Sequence, residues 1–385
     1  MKNYRLLSLI LIALGMALMT AAYLRKPAGS TPNTGLSVAS ALGNADSAGY
    51  SRAHTPRPFH FPADHGPHPD FRNEWWYVTG NLSDERGRAF GYQLTLFRIA
   101  LSPTPAAPDS AWRTRQVYMG HFALTDVAGQ RHEGFERFSR DALGLAGAQA
   151  EPFRVWLEDW ELASVSVDFL PLRLRARQGD LALDLRLDAG KPMVLQGDQG
   201  LSQKSAEPGN ASYYYSYTRM PTAGTVQIGA QSFTVSGSSW LDREWSTSAL
   251  GPNQSGWDWF ALQLDDGREL MFYRLRRQDG GSDPFSSGVL VAADGQTRHL
   301  PGDTVSLQAL ETWTSPHTGD THPAGWRLRV PAEALDLTVT PKVAGQEMRL
   351  TVRYWEGAVS VQGHAGATPV SGQGYLEMTR YAEPR

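Results

Sequence analysis

The chain has 385 residues, 41% of them hydrophobic and 19% charged, with a formal net charge of −3. That length and apolar content suit two domains with full cores and exclude wholesale disorder. The slightly negative charge leaves no basic field to hold nucleic acid, and the lack of Cys excludes disulfides, thiolate metal sites, a Cys nucleophile and lipidation at a signal-peptide Cys.

Lys2 and Arg5 precede an uncharged run from Leu6 to Leu24, and Arg25 and Lys26 follow it. A basic start before an apolar stretch describes a secretory signal, and about 20 apolar residues also suffice to cross a bilayer. Residues 1–26 therefore read as a signal peptide or a signal anchor helix. The body is expected to be exported to the periplasm. It is soluble there after cleavage near Ala21 or Ala22, or tethered to the inner membrane through residues 6–24. Residues 27–52 are rich in Gly, Ala, Ser, Thr, Pro and Asn and read as a flexible linker. The segment from Phe59 to Asp70 carries His60, His65, His68 and Asp64. Its prolines and its lack of a recognisable ligand spacing favour a structured loop over a metal site, so neither metal nor cofactor is expected.

From residue 73 the pattern becomes strand-like. Tyr92, Leu94 and Leu96 alternate with Gln93 and Thr95, and similar stretches fall at 117–124, 154–157, 172–176 and 181–187. Turn signals at 84–87, 128–129 and 178–180 separate them. Short alternating strands punctuated by Gly and Asp predict an all-β barrel or sandwich. The Gly/Ser/Gln-rich stretch 197–211, followed by Pro221, places a domain boundary near 220, giving domains over 53–220 and 221–385. The second half echoes the first. Trp76 and Trp257 each precede an Asp by eight residues, then a Gly-Arg turn and an alternating strand ending in Arg98 or Arg276. Two related β-domains explain this, and so does convergence of hairpin turns on Asp-Gly. The tail from Tyr354 to Thr379 reads as two closing strands.

Candidate chemistry clusters in two aromatic blocks. In Asn73–Gly80, a strand puts Glu74, Trp76 and Val78 on one face and Trp75 and Tyr77 on the other. A Glu between indoles loses solvation, so its pKa rises and it suits a general acid; the plain alternative is a Glu satisfied by Arg72 or Arg98. In the second block Trp240, Asp242 and Glu244 share a face, with Arg243 and Trp245 opposite. Two such carboxylates repel unless a cation or a shared proton intervenes, and they serve either as an acid–base pair or as an ion-paired barrel rim. Trp257, Trp259 and Gln263 line one face of the next strand, forming an aromatic pocket or a packed core. His121 is the best-placed histidine for proton transfer, and Tyr118, Tyr213, Tyr214 and Tyr215 are possible phenol donors. No nucleophile elbow, zinc-protease helix, P-loop or dinucleotide fingerprint is present.

Taken together, Asn73-Glu74-Trp75-Trp76-Tyr77, Gly120-His121-Phe122, the Trp240–Trp245 block with Gly256-Trp257-Asp258-Trp259, and Tyr354-Trp355-Glu356-Gly357 resemble the AttH and carotenoid 1,2-hydratase superfamily over residues 54–383. The resemblance implies two packed lipocalin-like antiparallel β-barrels enclosing a ligand cavity. Its members include hydratases of isoprenoid double bonds and pericyclases acting on polyketide chains. The hydratase branch carries Asp-His-x-Trp where this chain has Asp242-Arg243-Glu244-Trp245, and an always-charged Arg does not shuttle protons as His does. The exported AttH-like branch, encoded beside ABC-transporter permeases, is therefore the nearer match.

The leading expectation is an exported protein binding a hydrophobic small molecule or lipid, as an accessory to an ABC-transporter permease. The alternatives are a hydratase-like lyase, isomerase or hydrolase using Asp242, Glu244, Glu74 and His121, and a non-catalytic envelope scaffold. The expected ligand contacts are Trp75, Trp76, Tyr77, Tyr118, Tyr215, Trp240, Arg243, Trp245, Trp257, Trp259 and Gln263.

Overall fold

The computed structural model describes residues 47–104, 114–248, 250–251, 253–379 and 381. The expected signal or anchor helix, and the linker up to residue 46, lie outside the described residues. The alternating stretches form long antiparallel strands in two sheets. The first sheet holds β1 (Asn73–Asp84), β2 (Ala89–Ala100), β3 (Gln116–Asp126), β4 (Arg131–Arg140), β5 (Ala146–Ala150), β6 (Phe153–Leu157), β7 (Trp160–Ser164), β8 (Leu172–Gln178), β9 (Leu181–Leu187), β10 (Val194–Leu195), β11 (Leu201–Gln203), β12 (Ala211–Ile228) and β13 (Gln231–Ser246). The second holds β14 (Gln254–Leu264), β15 (Glu269–Arg277), β16 (Ser287–Val291), β17 (Thr297–Pro301), β18 (Ser306–Thr314), β19 (Thr321–Val330), β20 (Leu335–Pro341), β21 (Glu347–Arg349), β22 (Arg353–Ala365) and β23 (Thr368–Thr379).

The first sheet curls into a nearly closed barrel and the second into a half-barrel. Their strand orders correspond. The first runs β4-β3-β2-β1-β13-β12-β9-β8-β7 before ending in β6-β5, and the second runs β17-β16-β15-β14-β23-β22-β20-β19-β18. In each, the opening strand pairs with its hairpin partner and with the closing strand: β1 with β2 and β13, β14 with β15 and β23. The repeated hairpins seen in the sequence thus occupy equivalent places.

Alternation decides which face each residue takes. Trp76, Val78, Leu94 and Leu96 point into the first barrel, where they pack with Phe122, Trp160 and Leu185. Phe260, Leu262, Trp326 and Trp355 fill the second. Burying one such side chain stabilises the fold by roughly 1.5–3 kcal/mol. The intervening residues of β1, β13 and β14 face away from these cores. Tyr77, Trp240, Trp259 and Tyr273 meet there in a cluster between the sheets.

The expected boundary near 220 falls inside a strand. β12 runs through it, and after Pro221 still pairs with β13 and β9 of the first sheet. The change of sheet comes later, between Ser246 and Gln254. Pro221 misled because it follows a register shift between Tyr217 and Met220, the kind of bulge that tolerates a residue without an N–H. The Gly/Ser/Gln-rich stretch before it belongs to the same sheet: it contains β11, paired with β12.

Candidate active site

Glu74 is not a proton donor. It is fully buried and ion-paired to both Arg98 and Arg243. The His68 backbone N–H donates to its two carboxylate oxygens at 3.0 and 3.1 Å. Burial alone would raise its pKa, but the two guanidinium groups outweigh burial and hold the carboxyl well below the usual range. Arg243 lies 4.0 Å from the Trp76 ring centroid and 5.0 Å from that of Trp245. The segment before β1 covers this cluster. Asp64 accepts from His68 Nε2 at 3.0 Å, and Trp76 Nε1 donates to the His65 carbonyl at 2.9 Å. The Phe59–Asp70 stretch is therefore a structured cap on the ion cluster. Among the described residues, no group of three or more His, Asp or Glu side chains is arranged to hold a metal.

The cavity lies between the two sheets and has a volume of about 110 Å³. Equivalent strands supply its walls. Trp75 and Tyr77 come from β1, and Trp257 and Trp259 from β14. Tyr214 comes from β12, and Tyr354 and Glu356 from β22. Asp242 and Glu244 come from β13, and Glu377 from β23.

On the first-sheet side, Asp242 accepts from Tyr214 OH at 2.6 Å, Ser216 Oγ at 2.5 Å and Trp240 Nε1 at 2.6 Å. Desolvation dominates these bonds, with Glu244 adding to it, and the carboxyl is pushed up to about 7. Trp259 Nε1 donates to Tyr214 OH at 3.3 Å, so an indole of the second sheet steadies the phenol that holds Asp242. Glu244 accepts from Ser212 and lies 3.2 Å from Lys204 Nζ. Burial works against the Lys204 charge, but Glu244 and its neighbours hold its pKa above the ordinary value.

On the second-sheet side, Glu356 and Glu377 are direct cross-strand partners. Glu356 is 1% exposed, and Tyr77 OH donates to its Oε1 at 2.5 Å across the gap between the sheets. Its Oε2 is buried without a hydrogen-bond partner. Trp257 Nε1 donates to Glu377 Oε1 at 2.9 Å. Burial first, and Glu377 second, push the Glu356 carboxyl well above the carboxylate range. Burial likewise pushes Glu377 up to about 7, although part of its surface stays open where it lines the cavity. Two carboxyls so placed do not both ionise at neutral pH, so this pair holds a proton.

Of the residues expected from sequence, Asp242, Glu244, Trp75, Tyr77, Trp257 and Trp259 line the cavity. Trp240 stands behind it, bound to Asp242. Gln263 lies in a separate cleft, donating to the Thr218 and Ser239 carbonyls at 2.7 and 3.2 Å. Trp76 and Tyr118 are in the first core, Trp245 and Tyr215 pack beneath the cap, and Arg243 serves Glu74. His121 does not line the cavity. It is 0% exposed, with Nε2 3.1 Å from Glu136 and Nδ1 2.7 Å from the Tyr354 hydroxyl, and burial lowers its pKa. Sequence reasoning missed Glu356, Glu377 and Lys204. The signal for Glu356 was present: Tyr354-x-Glu356 repeats the aromatic–acid alternation of Trp240-x-Asp242. Lys204 lies in the Gly/Ser/Gln-rich stretch that leads up to the expected domain boundary.

The sequence profile of the AttH-like family matches residues 52–381. An AttH protein of Nitrosomonas europaea is 33% identical, with a TM-score of 0.76, over 86% of this chain and 100% of its own. Kievitone hydratase from Nectria haematococca is 16% identical, with a TM-score of 0.64, over 86% of this chain and 96% of its own. CghA, at 12% identity and a TM-score of 0.52, covers 86% of this chain and 96% of its own. The latter two likenesses are of fold. No curated protein matches the sequence. The corresponding strand orders, the cavity between the barrels and the profile match agree: this chain belongs to the AttH-like family, with a lipocalin-like fold.

Proposed function

We propose that this protein is a hydratase-like acid–base enzyme acting on an apolar substrate in the cavity between its barrels, rather than a simple carrier. The observation that carries this reading is the opposed pair Glu356 and Glu377, buried against each other where a proton is retained at neutral pH. Proton transfer to a double bond needs an acid that stays protonated near neutral pH, and this pair supplies one. Protonated Glu356 or Glu377 gives its proton to an alkene carbon. The indole and phenol faces of Trp75, Trp257 and Tyr273 stabilise the carbocation. Asp242, ionised as it passes through a pKa of about 7, takes a proton from the water that adds. The proton lost by one carboxyl is matched by the proton gained by the other, and the reverse course expels water. The fold shared with kievitone hydratase supports the reaction class. Export to the periplasm is part of this proposal and is supported by the uncharged Leu6–Leu24 run. Partnership with an ABC-transporter permease belongs to the carrier reading.

The test is incubation with isoprenoid and polyketide alkenes in oxygen-labelled water, followed by mass spectrometry of the products. Wild-type protein incorporates the label, and Glu356→Gln and Asp242→Asn each lose about a hundredfold or more in rate. Equal turnover by wild type and both variants removes these residues from the mechanism.

A further inference from the structure

Acidic side chains outnumber basic ones in the cavity wall. Asp242, Glu244, Glu356 and Glu377 face it, against one cation among the described residues, Lys204. Lys204 is already committed, 3.2 Å from Glu244 and donating to Ser202 Oγ at 2.9 Å. Among the described residues, Asp242, Glu356 and Glu377 have no cationic side chain at salt-bridge distance. Glu356 lines this space, with the phenols of Tyr77 and Tyr354 beside its carboxyl. The remaining wall is mostly indole and phenol, and it already holds one cation: the Lys204 ammonium lies 4.3 Å from the Tyr273 ring centroid. Aromatic faces with acidic groups between them are the surroundings that favour an organic ammonium over a neutral molecule of the same shape. An anion there finds one cation among the described residues, Lys204, which Glu244 already occupies.

We infer that the substrate of this cavity is an apolar molecule bearing an amine or quaternary ammonium group, seated against Glu356 and Glu377 with its hydrocarbon part on Trp75 and Trp257. The inference rests on the acid–base reading of the same cavity and names its substrate class. Its thermodynamic signature follows from linkage. A cation beside carboxyls that hold protons favours their ionised forms, so binding expels protons into solvent. The groups that face the cation and exchange protons are Asp242, Glu356 and Glu377, with Lys204 and Glu244 already forming a pair.

The experiment is isothermal titration calorimetry of the full chain at pH 7 with three molecules of one skeleton: cyclohexylmethylamine, cyclohexylmethanol and cyclohexanecarboxylate. Each is run in two buffers of different ionisation enthalpy. The amine is expected to bind about tenfold more tightly than the alcohol, with net proton release, and the carboxylate not to bind. Glu377→Gln, a change at a partly open position, is expected to reduce both the preference and the proton release. An alcohol that binds as tightly as the amine, an amine that does not bind, or an amine that binds without proton release overturns the inference. Tight alcohol binding leaves the hydration reading standing for neutral substrates. Amine binding by a protein without Glu356-dependent turnover removes catalysis and keeps the ligand class.

Discussion

Glu356 and Glu377 sit directly opposite one another on β22 and β23, two carboxyls where cross-strand partners of like charge repel. The fold tolerates them because burial leaves at least one protonated. Infrared spectra at pH 7 are therefore expected to show a protonated carboxyl band in the wild type that weakens in Glu356→Gln, leaving the part contributed by Asp242 and Glu377. A spectrum free of that band in the wild type contradicts the shared proton.

Tyr77 carries the hydrogen bond that crosses from the first sheet to Glu356. Tyr77→Phe removes the hydrogen bond to Glu356 Oε1. The expected loss in urea denaturation is about 1–3 kcal/mol, the cost of a buried unmet polar group. The same bond lowers the Glu356 pKa, so its removal raises the pH at which the carboxyl band is lost. Unchanged titration in Tyr77→Phe places the phenol outside the proton-holding group.

Asp242 contributes a pH dependence of defined sign. Its folded pKa of about 7 exceeds the model-compound value of 3.8. Between those values the folded state binds more protons than the unfolded one, so this group favours folding at low pH and loses that contribution as pH rises. The slope for one such group is roughly 1.4 kcal/mol per pH unit. Asp242→Asn is therefore expected to gain stability relative to wild type as pH is raised from 5 to 8, measured by urea midpoints. A difference independent of pH counts against the raised pKa.

The Glu74 cluster should behave in the opposite way. Its carboxyl titrates below the usual range, so its contribution is present at neutral pH and lost in acid. Glu74→Gln leaves Arg98 and Arg243 buried without their counter-charge, with an expected loss of about 3–5 kcal/mol at pH 7. The cavity carboxyl band should persist in the folded fraction. Its disappearance there assigns Glu74 to the proton chemistry after all.

Much of the fold is legible in the sequence because period-two alternation fixes the face of each residue in a long strand. The split between Trp76, inside the barrel, and Trp75 and Tyr77, on the cavity, follows from one register. The cavity itself is less legible. Its carboxyls come from strands about a hundred residues apart, and no local pattern records that β1 and β22 face each other. Glu74 shows the complementary difficulty. A Glu among indoles has the same local sequence whether or not an arginine from a distant strand reaches it, and Arg243 decides its protonation.

The matching strand orders make each sheet the owner of half a site. β1, β12 and β13 bring Tyr77, Tyr214 and Asp242 to the cavity, while β14, β22 and β23 bring Trp259, Glu356 and Glu377. This is the geometry of two like subunits meeting through the same patch, now joined in one chain. A single sheet of this kind presents a wall but no cavity, and two identical sheets would give a cavity with identical walls. Lys204 stands beside Glu244 on the first-sheet side and the Glu356–Glu377 pair on the second, so a bound molecule meets two unlike walls.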